Sequence, residues 1–357
     1  MMKNNTLLYI IAFCSLCCPA CTEHEAFHEQ AAEEISLSAV VDEVKCVSRA
    51  VEDAYTGSVP SPENELEAAV WFSLKPGYYP AQLPNDATEE EQTLKTETNI
   101  PLHGQINYIS GTATFPESTT EADKPKYPVN GANVYCIGLY PNDTGWTTVE
   151  NETKVQRPIT GTEDLMFAPE ITGNWNNHFT SQRYRHLLTW LKVGVCTTTS
   201  EAASYWGKLK KITLKGVPDT LTIDLSKQEG NSFKLENTVT YSSDNPDTQE
   251  IEGIQDLPIF NPETGIDLAI TTQEVASVFC HPSPTYTISI ECENGKTIDI
   301  SITLEALNQA EKDLLDYPAG LQYVLILYFH PFNVVEGVCT LNAWNAQNED
   351  LYPDKND

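Results

Sequence analysis

The sequence predicts an all-β protein built from two tandem β-sandwiches, the second of which carries one short helix. Short segments in which apolar and polar residues alternate recur along the chain. Clusters of glycine, proline and asparagine separate these segments, which is typical of sandwiches and unlike βαβ sheets. The length of 357 residues is enough for two domains of ordinary size, each with its own core.

Residues 34–47 form the first predicted strand. Its apolar residues occupy alternate positions: Ile35, Leu37, Ala39 and Val41. Further strands are predicted at residues 68–74, at 100–115 as two short pieces broken at Gly104 and Gly111, and at 132–140. Residues 75–97 are rich in proline, asparagine and glutamate, and they predict a long exposed loop.

The passage from Asp164 to Cys196 contains the predicted boundary between the sandwiches. Its polar middle, near residues 174–180, separates an N-terminal sandwich at 50–176 from a C-terminal sandwich at 177–357.

The apolar end of that passage, residues 187–195, is bulky and partly β-branched, and it predicts a buried strand. A helix over residues 184–192 is the alternative, because no helix breaker lies there. The β-rich composition on both sides favours the strand.

The second half continues as strands. Apolar alternation predicts them at three places: 209–214, 221–225 and 323–344. The clearest local signal lies at 286–304, where Asn294-Gly295 separates two alternating segments and predicts a hairpin. Residues 304–317 predict the one helix, because their leucines share a face and Pro318 stops the pattern.

The charge balance excludes two classes of partner. The chain holds 51 acidic and 21 basic residues, for a net charge of −30. Nucleic acid and anionic bilayers both require a basic face on the protein. We therefore expect no nucleic-acid partner, and we interpret the acidity as a device for solubility outside the cell.

Residues 1–20 predict a signal peptide. Lys3 gives the positive start, residues 7–16 give the apolar core, and small residues lead to Ala20. The apolar core is too short to span a bilayer as a helix.

Cys21, which directly follows a small residue, resembles the lipidated cysteine of a bacterial lipoprotein signal. The acidic stretch after it resembles the export signal of surface-exposed Bacteroidales lipoproteins. The resemblance implies acylation of Cys21, palmitate included, and attachment to the outer membrane surface through lipid alone. Each acyl methylene buried in the bilayer contributes ~0.8 kcal/mol.

Three passages resemble the fimbrillin family, the type V pilins of Bacteroidales. They are Asp164-Leu165-Met166-Phe167-Ala168 followed by Arg185-His186-Leu187-Leu188, the pair Val134-Tyr135 and Gly145-Trp146, and Leu341-Asn342-Ala343-Trp344. The resemblance implies transthyretin-like sandwiches and a fimbrial subunit or adhesin located in the fimbrium. It implies other pilin subunits as partners by strand exchange, with a host or bacterial surface glycan or protein as a further candidate.

Fimbrillins are cut after an arginine, and removal of the preceding strand opens a groove in the first sandwich. By this resemblance Arg49, which follows the strand at 35–47, is the cleavage site and Ala50 becomes the mature N-terminus. Residues 21–49 would then be a tether and a removable strand. The alternative is that Arg49 is an ordinary surface arginine that is never cut.

The tail after Trp344 departs from the polymerising members of that family. Residues 345–357 are polar, with only Leu351 and Tyr352 as apolar anchors, and would fill an apolar groove poorly. This departure favours a tip or accessory subunit. The alternative is polymerisation through the strands at 323–340.

One motif has the spacing of a zinc site. His24-Glu25-Ala26-Phe27-His28 matches the HExxH pattern, in which two histidines on one helix face hold zinc. It lies outside any apolar periodicity and directly after Cys21, so we interpret it as part of a polar tether. The cysteines beyond the signal are scattered without a CxxC pair, and His186 is expected to be a satisfied core residue. We therefore expect no metal, no cofactor and no catalysis.

The second functional hypothesis is a glycan-binding surface lipoprotein of a polysaccharide-uptake system. It depends on aromatic side chains that could form platforms: Trp71, Trp146, Trp175, Trp206, Tyr78 and Tyr79. Burial of these rings in the core is the competing explanation. An enzyme ranks third and would require a cleft with converging carboxylates.

Overall fold

The computed structural model describes residues 33–41, 65–100, 102–109, 112–114, 124–227, 239–242, 254–304 and 319–342. The strands of the first part, in chain order, are β1 (Ala39–Val41), β2 (Leu66–Ser73), β3 (His103–Ile109), β4 (Thr112–Thr114), β5 (Val134–Tyr140), β6 (Thr147–Val149), β7 (Lys154–Pro158), β8 (Met166–Gly173), β9 (Gln182–His186) and β10 (Thr189–Thr197). Those that follow are β11 (Lys208–Pro218), β12 (Thr220–Asp224), β13 (Val239–Ser242), β14 (Ile254–Phe260), β15 (Ile266–Asp267), β16 (Gln273–Cys280), β17 (Thr285–Cys292), β18 (Thr297–Thr303), β19 (Gln322–His330) and β20 (Val334–Asn342). The helices are α1 (Glu89–Thr98) and α2 (Ser200–Trp206).

The first sandwich pairs a seven-stranded sheet with a four-stranded sheet. The larger sheet has the order β1-β9-β8-β5-β2-β3-β4, and the smaller has the order β13-β12-β7-β6. Trp71, Leu139 and Phe167 from the larger sheet share a core with Leu221 and other residues of the smaller one. The smaller sheet joins strands from distant parts of the chain, because β12 pairs with β7 in antiparallel register.

The second sandwich packs a four-stranded sheet, β16-β10-β19-β20, on a five-stranded sheet that contains β14-β11-β17-β18 and β15. Its core includes Val193, Leu325, Ile212 and Ile288. Trp190, at the start of β10, instead belongs to the core of the first sandwich and stacks on Phe279 at 5.4 Å between ring centroids. The two sandwiches are therefore continuous in the interior.

The all-β fold class is confirmed, and so are several of its predicted elements. Residues 189–197 form strand β10, not a helix, and every one of them is buried. The predicted hairpin is β17–β18, whose turn contains Gly295 at φ +78°. This conformation favours glycine over residues with a Cβ.

Two local predictions are wrong. The stretch predicted as a loop at 75–97 contains most of α1, whose N-terminus is fixed by a capping box between Thr88 and Glu91. Glu91 N donates to Thr88 Oγ1 at 3.2 Å, and Thr88 N donates to Glu91 Oε2 at 2.9 Å. Gly104 does not break its strand, because it lies within β3 and pairs with Val70.

The second sandwich contains one short helix among the described residues, at α2. Thr199 caps this helix by accepting a hydrogen bond from Ala202 N at 3.1 Å. The helix predicted at 304–317 lies outside the described residues except for Leu304.

A buried arginine fixes the loop that follows β5. Arg157 on β7 donates from Nη2 to Asp143 Oδ2 and to Glu163 Oε2, each at 2.7 Å, and its guanidinium lies over the Trp146 ring. The hydrogen bonds from Arg157 lower the pKa of Asp143 below its ordinary value. The folded protein therefore stabilises the ionised form of the Asp143 carboxyl.

Replacement of Asp143 should give a stability loss that depends on pH. A carboxyl with a lowered pKa in the folded state stabilises above its unfolded pKa, and that contribution disappears as pH falls through the folded pKa. We expect Asp143→Asn to lower the free energy of unfolding at pH 5 and to approach the parent protein below about pH 3.8. Urea unfolding of both proteins at a series of pH values checks this. A gap that widens toward low pH would contradict it.

Tyr184 of β9 reaches past β8 and places its hydroxyl against Gly138 of β5. The tyrosine is fully buried, and a Cβ added at Gly138 of β5 would lie 2.1 Å from its hydroxyl oxygen. No real Cβ contact is that short, so the side chain at position 138 must be hydrogen.

Gly138→Ala should therefore destabilise the fold. Overpacking of a close-packed core costs about 1–3 kcal/mol, which urea unfolding measures directly. Thr172→Ala, at an exposed position of β8, is the matched control, with an expected change within about 0.5 kcal/mol. Equal stability of the two variants would show that the tyrosine is not seated on Gly138.

Candidate functional site

The N-terminal segment 33–41 connects two edges of the large sheet. β1 pairs in parallel with β9, and Gln182 N donates to Ser38 O at 2.8 Å. On its other side Ser38 forms an antiparallel bridge with Thr112 of β4, the strand at the opposite end of the sheet order. The segment thus closes the sheet upon itself by lying between its first and last edges.

The start of the segment is held by a second set of backbone bonds. Ile35 N donates to Pro125 O at 2.8 Å, and Tyr127 N donates to Glu33 O at 2.9 Å. Glu34 forms an antiparallel bridge with Lys126. The described part of the predicted strand at 34–47 is therefore paired at both ends, although only its last three residues form a regular strand.

The side chains of the segment alternate between the interior and the surface. Those that face the interior are at most 5% exposed: Ile35, Leu37, Ala39 and Val41. Ser36 is exposed, and Ser38 and Val40 are half-buried. Full burial of an Ile, Leu or Val side chain stabilises by roughly 1.5–3 kcal/mol, so the segment is bound by several such terms together.

The groove beneath the segment is apolar with a few uncharged polar groups. Val70, Phe72 and Met166 belong to the same core cluster as the four apolar residues of the segment. Gln182 is fully buried and donates from Nε2 to Cys136 Sγ at 3.6 Å. Burial raises the pKa of the Cys136 thiol well above its ordinary value, so this thiol stays neutral. Such a surface suits an extended apolar strand and offers nothing to a charged ligand.

The strand that receives β1 is weakly joined to the rest of the sheet. β8 and β9 form only two ladder pairs, Met166 with His186 and Phe167 with Arg185. Pro169 stands where the next hydrogen-bonded pair would need a backbone N–H, and proline has none. The ladder stops there, and β9 depends on β1 and on its own buried side chains for its position.

Leu37→Ala should destabilise the precursor strongly. Removal of a buried leucine from a packed groove costs about 2–5 kcal/mol. Val40→Ala, one step from the interior register, is the matched control and should cost less than about 1 kcal/mol. Urea unfolding of both variants checks the register. A larger loss of stability for Val40→Ala than for Leu37→Ala would show that Val40, and not Leu37, faces the interior.

Several residues singled out in the sequence lie outside the described residues. These are Cys21, the His24–His28 motif, Arg49 and Ala50. His186 is a satisfied core residue, as predicted: its Nδ1 lies 2.9 Å from Asp164 Oδ2, and both side chains are buried. No cluster of histidine, cysteine, aspartate and glutamate in the described part of the chain has the arrangement of a metal site.

The aromatic residues of the glycan-binding hypothesis are mostly inside the protein. Trp71, Trp146, Trp206 and Tyr79 are at most 6% exposed, and Trp175 and Tyr78 are half-buried.

Two features of the site were not foreseen from the sequence. The bridge from Ser38 to Thr112 has no local sequence signal, whereas Pro169 was visible inside an otherwise strand-like segment and could have indicated the break beside β9.

No helix in the described part of the chain is both long enough and apolar enough to cross a membrane. The features above define an all-β protein of two sandwiches in which an N-terminal segment completes one sheet.

The chain belongs to the fimbrillin-like family. The model of that family matches residues 82–344, more than two thirds of the chain. The resemblance found in the sequence is thereby confirmed, and the family is one of cell-surface fimbrial and adhesion proteins. No curated protein matches the chain.

Solved structures of Bacteroidales proteins are similar over nearly their whole length. A proposed cell adhesion protein from Bacteroides uniformis is 11% identical, with 88% of this chain and 99% of that one covered and a TM-score of 0.49. Another from Bacteroides ovatus is 14% identical, with 89% and 100% covered and a TM-score of 0.47. The tip fimbrial protein Mfa3 from Porphyromonas gingivalis, truncated at its C-terminus, is 10% identical, with 87% and 100% covered and a TM-score of 0.35.

Proposed function

We propose that this protein is a surface-anchored fimbrial subunit or adhesin that joins other subunits by strand complementation. The observation that carries the proposal is the segment 33–41, which lies between β9 and β4 and fills an apolar groove with alternate side chains. A strand held in this way can be replaced by a strand of another chain that offers the same backbone groups and the same apolar pattern.

Cleavage after Arg49 is the proposed trigger. The cut separates residues 33–41 from the body of the protein, so the strand is no longer retained by the covalent chain once it leaves the groove. Its departure exposes unpaired backbone groups and apolar pockets, which are unfavourable in water. An incoming strand removes both costs, and this difference in free energy drives assembly.

Membrane attachment is proposed to depend on acylation of Cys21 alone. The lipid would hold the precursor on the outer surface of the outer membrane, and the cut after Arg49 would release the assembled part from that anchor. The partners are then other subunits, together with a glycan or protein on the target surface.

A tip or accessory position suits this chain better than a place in a repeating stalk. Within residues 345–357 the only large apolar side chains are Leu351 and Tyr352, which would fill another groove poorly. Donation of β19 would be costly, because this strand pairs with β10 and β20 on its two sides and is buried over eight of its nine residues. Polymerisation through β20, the last strand in the order of its sheet, remains the alternative. The tail and β19 together favour a subunit that receives a strand. The glycan-uptake alternative has less support, because most of its aromatic residues are buried.

Treatment of the purified precursor with an arginine-specific protease should produce a new N-terminus at Ala50 and, once other fimbrial subunits are added, species larger than a monomer. N-terminal sequencing and size-exclusion chromatography measure the two outcomes. Arg49→Ala is the control and should remain uncut at this position and monomeric. A trimmed protein that stays monomeric in the presence of other fimbrial subunits would count against strand complementation. Protein recovered from cells with Cys21 as its N-terminal residue would count against cleavage.

A further inference from the structure

The segment 33–41 occupies its groove in one register and in one direction. β1 runs parallel to β9, from the pair of Ala39 with Gln182 to the pair of Val41 with Tyr184. The bridge from Ser38 to β4 is antiparallel. A strand that replaces the segment must run in the same direction to meet both edges in this way. The segment therefore serves as a template that shows which side chain the groove accepts at each inward position.

The four inward side chains of this template differ in size. Two large aliphatic residues, Ile35 and Leu37, are followed by Ala39 and then by Val41. All four are at most 5% exposed, so the core closes around each of them at its present volume. Protein interiors are close-packed and contain few voids larger than a water molecule. The groove is therefore shallowest at position 39.

Two buried polar side chains form one wall of the groove at this position. Gln182, which pairs with Ala39, is fully buried and donates from Nε2 to Cys136 Sγ at 3.6 Å. Tyr184 is also fully buried and donates from its hydroxyl to Gln182 Oε1 at 3.4 Å. These two hydrogen bonds hold the Gln182 amide in one orientation beside Ala39.

This wall has no room to move back for a larger residue. The Tyr184 hydroxyl already fills the space that a Cβ would need at Gly138 of β5. A larger side chain at position 39 would push Gln182 toward Tyr184, and the backbone of β5 stands behind the tyrosine. Overpacking of such a core forces side chains out of their preferred rotamers. A leucine or a phenylalanine at position 39 would therefore weaken the binding of the whole strand.

We infer that the partner of this groove is a strand of a different fimbrial subunit, with a small residue (alanine, serine or glycine) at the position of Ala39 and large aliphatic residues at the positions of Ile35 and Leu37. In strand addition the backbone bonds give affinity, and the pockets for alternate side chains give specificity. Position 39 thus determines which strands are admitted. The inference rests on the proposed function, because a foreign strand enters only where strands are exchanged.

The tail of this chain does not have the required pattern. Its two large apolar residues, Leu351 and Tyr352, are adjacent, and Pro353 follows them. Adjacent residues of a strand point to opposite faces, so only one of the two could enter the groove. The tail of a second copy is therefore a poor donor, in agreement with the tip or accessory position proposed above.

The experiment uses the uncut full-length chain with Cys21→Ser, which removes the lipid, and Leu37→Ala, which loosens the chain's own segment. Fluorescently labelled peptides with the sequence of residues 33–41 are added to this loosened chain, and fluorescence anisotropy measures their binding. The parent peptide should bind, because it retains the leucine that the chain's own segment has lost.

Two variant peptides test the selection at position 39. Ala39→Leu and Val40→Leu each enlarge one apolar residue, at neighbouring positions. We expect the Ala39→Leu peptide to bind about tenfold or more weakly than the parent peptide, although it is more apolar. The Val40→Leu peptide is the matched control. Its enlarged residue faces a surface groove of about 420 Å³ that Val40 lines, so its affinity should stay within about twofold of the parent.

The same substitutions in the otherwise unchanged chain test the groove without any added strand. Ala39→Leu should lower the urea concentration at the midpoint of unfolding. Val40→Leu should leave that midpoint near the parent value, and so should Ala39→Ser, whose hydroxyl can donate to the Gln182 amide oxygen. Circular dichroism confirms that each chain is folded.

Three results would overturn the inference: equal affinities of the Ala39→Leu and Val40→Leu peptides, no binding of any peptide to the folded loosened chain, or binding of a peptide of residues 345–353 as tight as that of the parent peptide. Equal unfolding midpoints of the Ala39→Leu and Val40→Leu chains would also overturn it. Failure of the proposed function gives a different result. The loosened chain would still discriminate among the peptides, while protease-trimmed chains given other fimbrial subunits would remain monomeric.

Discussion

The fold depends on completion of the large sheet by the segment 33–41. This segment supplies backbone partners to β9 on one side and to Thr112 of β4 on the other, and its four interior side chains complete a core that sheet residues form only in part. β9 has two ladder pairs to β8 and three to β1. The stability of the first sandwich and the strand exchange proposed above would therefore have a common origin. Both follow from a strand that is held by many individually weak contacts. Only the backbone of the chain links it covalently to the rest of the protein.

The sequence predicted those features that depend on neighbouring residues. Alternation at 35–41 identified a strand and its interior face, and Asn294-Gly295 identified a hairpin, because the periodicity of a strand and the backbone needs of a tight turn are local properties. For β10, only the β-rich composition on both sides favoured a strand over a helix. The site itself was reached only in part. The strand came from alternation, and the proposed cleavage residue came only from resemblance to a family, but the bridge to β4 depends on where a distant edge lies.

The errors have physical causes of the same kind. Helix α1 is polar on nearly all sides, so it has no apolar stripe to indicate it, and its capping box at Thr88 and Glu91 is a short signal among loop-forming residues. Gly104 continues a strand because its neighbours Val70 and Trp71 belong to a β2 that pairs with β3 along its length. Pairing of β7 with β12 likewise joins residues more than 60 positions apart, and only the packing of the whole protein determines it.

The antiparallel sheet β13-β12-β7-β6 has a mechanical consequence. Because β7 belongs to the first part of the chain and β12 to the second, a pull that separates the two sandwiches does not simply extend the linker between β9 and β10. It also loads the ladder between β7 and β12, in which five residue pairs are joined. In a subunit of the kind proposed above, this pairing would couple the two sandwiches under tension.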